Sequence, residues 1–168
     1  MGLDTVELVM DLEEALHLRI PDARAAQLAT PRDVVRYVAK RRPLRREERC
    51  RGRELFFELR RALAELEGWD ARSLRLDTPL LIAFWRWGTI YDELLSRCAS
   101  YDWPLHVPRP KTLRELVHRL GCALIQPPAD GPWSMEELCY VVRRTVEGFT
   151  GRGDYRSVHT FVGDMQLD

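Results

Sequence analysis

The spacing of apolar residues is the feature that most constrains how this chain can fold. Wherever a run is long enough to judge, apolar residues recur at steps of three and four, the period of one helix face, and no strand-like alternation is evident. We therefore predict an all-α protein, whose last helix begins with a capping box of Ser134 and Glu137. The predicted helices span about Asp4–His17, Pro31–Arg42, Arg53–Glu67, Thr89–Ser100, Thr112–Leu120 and Ser134–Phe149.

Composition excludes several classes of protein. With 168 residues, of which 45% are hydrophobic and 31% charged, the chain has the make-up of one globular domain or two small ones. The longest apolar stretch, Pro79–Trp85, is too short to span a bilayer, and Asp4 and Glu7 lie where a signal peptide would be basic and then apolar. We expect a cytoplasmic protein without a membrane span.

The cysteines and histidines give little sign of a metal or catalytic site. The four cysteines are widely spaced, with no CxxC pair and no histidine at a ligand interval, so reduced thiols are expected and no metal. No histidine pairs with a cysteine or carboxylate at catalytic spacing. We predict no catalytic residues and no enzyme.

Charge is sorted along the chain although the formal net charge is zero. Acids dominate Met1–Asp22, whereas Lys40–Arg53 holds eight basic residues against Glu47 and Glu48. We interpret the basic run as a solvated linker, with a patch for nucleic acid or an anionic membrane as the alternative. No aromatic residues interleave it, so nucleic acid is not favoured.

The first helix has three distinct faces on a helical wheel. Its core stripe is Leu8, Val9, Leu12 and Leu16. The second face carries four acids, and the third, which flanks it, carries two apolar residues and one acid. Together they form what we call the acidic strip: Asp4, Glu7, Asp11 and Glu14 on the second face, and Val6, Met10 and Glu13 on the third. Such a mixed strip predicts docking to a basic, partly hydrophobic surface, and the alternative is an ordinary solvated helix face.

The N-terminal segment also carries a recognisable pattern of residues. It comprises Leu3–Met10, Leu12–Glu14, Ile20–Asp22, and Thr30 with Val34, Val35, Tyr37 and Val38. From Leu3 to about Lys40, without a gap, it resembles the second half of an acyl carrier protein of fatty acid synthesis. In that family the segment follows an Asp-Ser-Leu motif whose serine carries 4′-phosphopantetheine. Here Leu3 matches the leucine, and Gly2 stands where the serine would be.

The other half of the resemblance lies at the C-terminal end. Trp133–Phe149 reads as a helix, and Phe161–Asp168 resembles the family's loop before the serine, which makes Asp168 the aspartate of the motif. The halves are then in circularly permuted order, and the chain is opened at the serine. The resemblance implies a helical bundle that docks carrier-dependent enzymes through their basic patches. The docking residues it implies are Asp4, Val6, Glu7, Met10, Glu13, Glu14 and Ile20.

The middle of the chain looks like a weak repeat of the same plan. Leu105–Pro108 is similar to Leu18–Pro21, and Gly88 aligns with the position of the phosphopantetheine serine in the carrier family. We expect the aromatic cluster Phe84, Trp85 and Trp87 to fill the core of this segment, with binding of a ligand as the alternative. The predicted domains are a permuted carrier-like domain (1–40 plus 131–168), a basic linker (41–52), a degenerate carrier-like helical domain (53–122) and a linker (123–130).

The sequence leaves three functional hypotheses open. The first is an acyl-carrier-type protein of fatty acid or polyketide synthesis that lacks its phosphopantetheine serine, and the second is a non-acylated module that docks partner proteins. The third is one period of a longer array, cut at the serine. We expect a monomer in which both halves close within one chain, with a swapped dimer as the alternative.

Overall fold

A computed structural model describes residues 2–82, 84–97, 107–151 and 155–167. Within these ranges it contains seven helices and no strand, so the predicted all-α fold class is confirmed. The helices are α1 (Leu3–Leu16), α2 (Asp22–Ala25), α3 (Pro31–Ala39), α4 (Arg51–Glu67), α5 (Phe84–Arg97), α6 (Leu113–Leu124) and α7 (Met135–Thr150). Among the described residues, no helix is long and apolar enough to cross a membrane, and no cluster suited to a metal ion occurs.

The helix starts follow local capping chemistry. The side chains of Thr30 and Ser134 each accept a hydrogen bond from the amide three residues later, and both helices begin with a full capping box. At α3, Pro31 follows the cap, a position where its missing amide costs nothing. The starts of α3 and α7 agree with those predicted from the sequence. The four-residue α2 was not among the predicted helices.

The chain divides into two compact units. Unit 1 comprises Met1–Glu48 and Gln126–Asp168, and unit 2 comprises Arg49–Ile125. In unit 1, α1 and α3 pack against α7. Its buried core includes Leu8, Leu12 and Leu16 of α1, Val34 and Val38 of α3, Val141, Val142 and Val146 of α7, and Phe161, Met165 and Leu167. Of the predicted core stripe of α1, Val9 is only half-buried, and Thr5 is buried instead.

In the part of unit 2 that the structure describes there are three helices, with α4 packed against α5 and α6. Its core includes Leu55, Leu59 and Leu63 of α4, Trp87 and Leu94 of α5, and Leu113, Leu116 and Leu120 of α6. The expected aromatic core filling holds for Trp87, whose indole donates to the Val107 carbonyl at 2.8 Å. It is wrong for Trp85, which is 79% exposed, and the Phe84 side chain lies outside the described part.

The basic run is held on unit 1 over its first residues, rather than being solvated along its whole length. The Arg42 guanidinium lies over the Trp133 ring at 4.7 Å, and the Arg45 amide donates to the Trp133 carbonyl at 2.9 Å. The Arg45 side chain pairs with the buried carboxylate of Glu137. Helix α4 begins at Arg51, inside the range 41–52 that the sequence suggests as a linker.

Candidate functional site

Gly2 lies at the N-cap of α1, in an extended conformation with φ −73° and ψ 175°. Its carbonyl accepts hydrogen bonds from the Thr5 hydroxyl at 2.8 Å and the Val6 amide at 3.3 Å. A helix N-terminus offers free amides and the positive end of the helix dipole, which favour an anionic group. Because the backbone torsions of Gly2 suit any L-residue, a serine would fit here without backbone strain.

Gly2 itself supplies no hydroxyl at the start of α1. The nearest described hydroxyl along the chain is that of Thr5, which is buried and donates to the Gly2 carbonyl. Gly88, which the sequence aligns with the serine of a second repeat, lies inside α5 and not at its start. It therefore lacks the N-cap position that Gly2 has.

The segment before Asp168 packs into the core of unit 1. Phe161 donates its amide to the Ala29 carbonyl at 2.9 Å, and Leu167 donates to the Phe161 carbonyl at 3.0 Å. Phe161, Met165 and Leu167 are buried in the same cluster as Leu8 and Leu12 of α1. Asp168 itself lies outside the described residues, so its relation to Gly2 and Leu3 stays a prediction.

A tight turn orders this C-terminal segment. The Asp164 carboxylate accepts from the amide and the hydroxyl of Thr160, at 2.7 and 2.9 Å. These two hydrogen bonds hold the pKa of Asp164 below its usual value, because they stabilise the charged form, and the charge of His159 acts in the same direction. The folded turn therefore favours ionised Asp164 and loses that contribution as the pH falls through the lowered pKa.

Most of the acidic strip is exposed, whereas Asp4 and Glu13 are half-buried. Val6 is 37% and Met10 60% exposed, beside the exposed Glu7, Asp11 and Glu14. Among the described residues, no ion pair involves Asp4, Glu7, Asp11 or Glu14. Leu3, at the head of the same helix, is also exposed. The strip thus combines uncompensated negative charge with accessible apolar side chains.

Glu13 and Ile20 differ from the other residues suggested for docking. The Glu13 carboxylate accepts the Ile20 amide, and its carbonyl accepts the Leu18 amide at 3.1 Å, so this glutamate holds the turn after α1. Ile20 is 3% exposed and belongs to the core. Its side chain therefore forms part of the floor of a groove rather than an exposed contact.

That groove lies between α1 and the turn that leads into α2. It has a volume of about 410 Å³, and Val6, Met10, Glu13, Arg19 and Ile20 contribute to its walls. The structure thus brings four of the residues suggested for docking into one concave surface. Asp4, Glu7 and Glu14 lie outside the lining of the groove.

An apolar cavity lies beneath α1, and the periodicity of the sequence does not reveal it. It has a volume of about 270 Å³ and is lined mainly by aliphatic and aromatic side chains, among them Leu8, Leu12, Val34 and Phe161. Ala25, Ala26 and Ala29 also line it, and small side chains leave such space open. This group of alanines is the feature of the sequence that could have indicated the cavity.

Comparisons with curated proteins find relatives that match part of this chain. An acyl carrier protein of Wolinella succinogenes is 58% identical over 37 residues, which are 22% of this chain and 49% of that protein. An acyl carrier protein of Campylobacter concisus is 53% identical over 39 residues, 23% of this chain and 51% of that protein. No protein-family profile and no solved structure matches the chain.

The extent of the match limits what it establishes. The chain spans about half the length of the curated relatives it matches. The matched lengths of 37 and 39 residues are comparable to the segment from Leu3 to about Lys40 that carries the resemblance. About a fifth of this chain is therefore similar to half of an acyl carrier protein.

Proposed function

We propose that the chain is an acyl-carrier-type protein, or part of one, related to fatty acid or polyketide synthesis, with the halves of its carrier domain in circularly permuted order. The identity of 53–58% to half of an acyl carrier protein carries this proposal. In support, the core of unit 1 joins Leu8 and Leu12 of α1 with Val142 of α7 and Phe161 of the C-terminal segment. Those are the two ends of the chain that resemble the two halves of a carrier.

The partners would be carrier-dependent enzymes with basic docking patches. The unneutralised acids of the acidic strip attract a positive surface, and Val6 and Met10 add apolar contact beside them. The cavity beneath α1 is chemically suited to an apolar chain such as that of an acyl group. Both features belong to unit 1.

The residues present do not fit covalent attachment of 4′-phosphopantetheine, the prosthetic group of carriers. Gly2 has no side-chain hydroxyl, and the Thr5 hydroxyl is buried and hydrogen-bonded. In this form the chain would meet partner enzymes without carrying cargo. Leu3 and Asp168 remain the proposed remnant of the motif on either side of Gly2.

The missing side-chain hydroxyl at Gly2 supports an alternative function. In this alternative the chain is a carrier-fold module that docks partner proteins and is never acylated. It predicts that a partner binds the unmodified chain as tightly as a chain with the serine restored. A serine codon directly after Asp168 in the coding sequence would instead indicate one period of a longer array.

The attachment test compares the parent chain with its Gly2→Ser variant. Each is incubated with coenzyme A and a broad-specificity phosphopantetheinyl transferase, and intact mass is followed. We expect no mass increase for the parent and slow addition of one group to the variant, since a terminal residue frays and positions its hydroxyl poorly. Gly88→Ser is the matched control, because its open site accepts the side chain but lies within a helix. Modification of the parent, or equal modification of both variants, would contradict the proposal.

A further inference from the structure

Unit 1 has a second concave surface, which we call the basic pocket, and most of its charged lining side chains are positive. Arg24 of α2 and Arg36, Lys40 and Arg41 of α3 and its C-terminal end line it, and its volume is about 360 Å³. Asp33 is the one acid among its lining residues. Its Oδ2 atom already accepts the amide and hydroxyl of Thr30 in the capping box, at 3.1 and 2.7 Å. The pocket therefore carries a net positive charge.

Two of the guanidinium groups are held in position. Arg41 lies over the ring of the buried Tyr37 at 3.7 Å, with an Nη1 contact of 3.5 Å to the Tyr37 carbonyl. Arg24 donates to the side-chain oxygen of Gln27 at 2.9 Å. Neither contact neutralises the positive charge, and both reduce the rotamer freedom that a bound anion would otherwise have to restrict.

The other two cations have no partner in the described part of the chain. The side chains of Arg36 and Lys40 form no hydrogen bond or ion pair there. Like charges that converge without a counter-ion repel one another, and a multiply charged anion relieves this repulsion. Guanidinium groups match phosphate oxygens in a forked geometry, and an ammonium group adds a mobile donor.

A simpler explanation is that Arg36 and Lys40 stabilise the C-terminal end of α3. Cations in the last turn do interact favourably with the helix dipole. That explanation does not account for Arg24, which belongs to a different helix and lines the same pocket. It also predicts no binding of any ligand.

We infer that the basic pocket binds a phosphate-bearing small anion carrying at least two negative charges. This site is separate from the acidic strip and does not depend on the proposed carrier function. The shared chemistry is the phosphate group, whether it comes from free pyrophosphate or from a nucleoside diphosphate.

Calorimetric titration of the full chain with pyrophosphate and, separately, with ADP tests this inference. We expect saturable binding that weakens as salt rises, and tighter binding of ADP would identify a nucleotide as the source. The double variant Arg36→Gln, Lys40→Gln should weaken binding about tenfold or more. Arg32→Gln is the matched control, because Arg32 is an exposed arginine of α3 that does not line the pocket.

A second variant protects the test against loss of folding. Arg24→Gln changes an exposed side chain on another helix and should also weaken binding, with an unchanged helical circular dichroism spectrum. Absence of saturable binding by the parent chain would overturn the inference. Equal weakening by Arg32→Gln and by the pocket variants would also overturn it, since only general charge would then matter.

Discussion

Glu137 is a buried acid of unit 1 with two polar partners. Its carboxylate is buried, accepts the Ser134 amide at 2.9 Å and pairs with Arg45. The capping role is readable from the spacing of Ser134 and Glu137 alone. The partnership with Arg45 is not, because those residues lie far apart in sequence and are joined only by the tertiary fold.

Replacing Glu137 therefore tests whether the basic run is held on unit 1. We expect Glu137→Ala to lower the free energy of unfolding by about 2 kcal/mol, because a helix cap and a partly buried ion pair are lost together. Urea denaturation followed by circular dichroism measures this change. Glu14→Ala, at an exposed glutamate of α1, should stay within about 0.5 kcal/mol of the parent. Equal effects of both substitutions would contradict the role given to Glu137.

Helix α1 is an element on which sequence and structure largely agree. Its apolar period places Leu8, Leu12 and Leu16 in the core, where the structure has them. The period does not reveal the groove or the cavity beside it, because both depend on the turn after α1 and on α2. The start of α5 at Phe84 is not evident from the sequence either. Closely spaced aromatic residues are as compatible with an irregular segment packed in the core as with the first turn of a helix.

For helix α1, charge reversal distinguishes the two interpretations of the acidic strip, a docking surface and a solvated face. The double variant Glu7→Lys, Glu14→Lys should weaken binding to a carrier-dependent enzyme with a basic patch by about tenfold or more, because attraction becomes repulsion. Surface plasmon resonance at several salt concentrations measures this effect, and the parent's affinity should fall as salt rises. The double variant Glu54→Lys, Asp92→Lys makes the same change in net charge at exposed positions of α4 and α5, in unit 2. Equal losses in both double variants, or no binding by the parent chain, would leave the strip a solvated face.

At the scale of the whole molecule, the sequence predicts the all-α fold class, which the structure confirms. The permuted order of the two halves and their assembly stay predictions. In our proposal the two ends of the chain hold the two halves of the carrier, and the structure unites residues from both ends in one core. The resemblance of unit 2 to a second carrier has weaker support. Gly88 lies inside a helix, and Leu105 and His106, which carry part of the similarity, fall outside the described residues.

Closure of both halves within one chain predicts a monomer. The middle segment tethers the halves, so their effective concentration favours the intramolecular core over a swapped one. Light scattering over a range of concentrations should give the mass of a single chain, 19.6 kDa. A dimer that persists on dilution, with cross-links between Leu12→Cys of one copy and Val142→Cys of another, would contradict this expectation.

The most direct test of the permuted carrier rejoins its halves. In the re-permuted protein a serine links Asp168 to Leu3, and the chain is opened between Glu48 and Arg49, where the two units divide. Incubated with coenzyme A and a phosphopantetheinyl transferase, it should gain one phosphopantetheinyl group on that serine, faster than Gly2→Ser does, because the hydroxyl is now fixed at the start of a continuous α1. A re-permuted protein that keeps the helical circular dichroism and cooperative unfolding of the parent, yet gains no mass, would contradict the account.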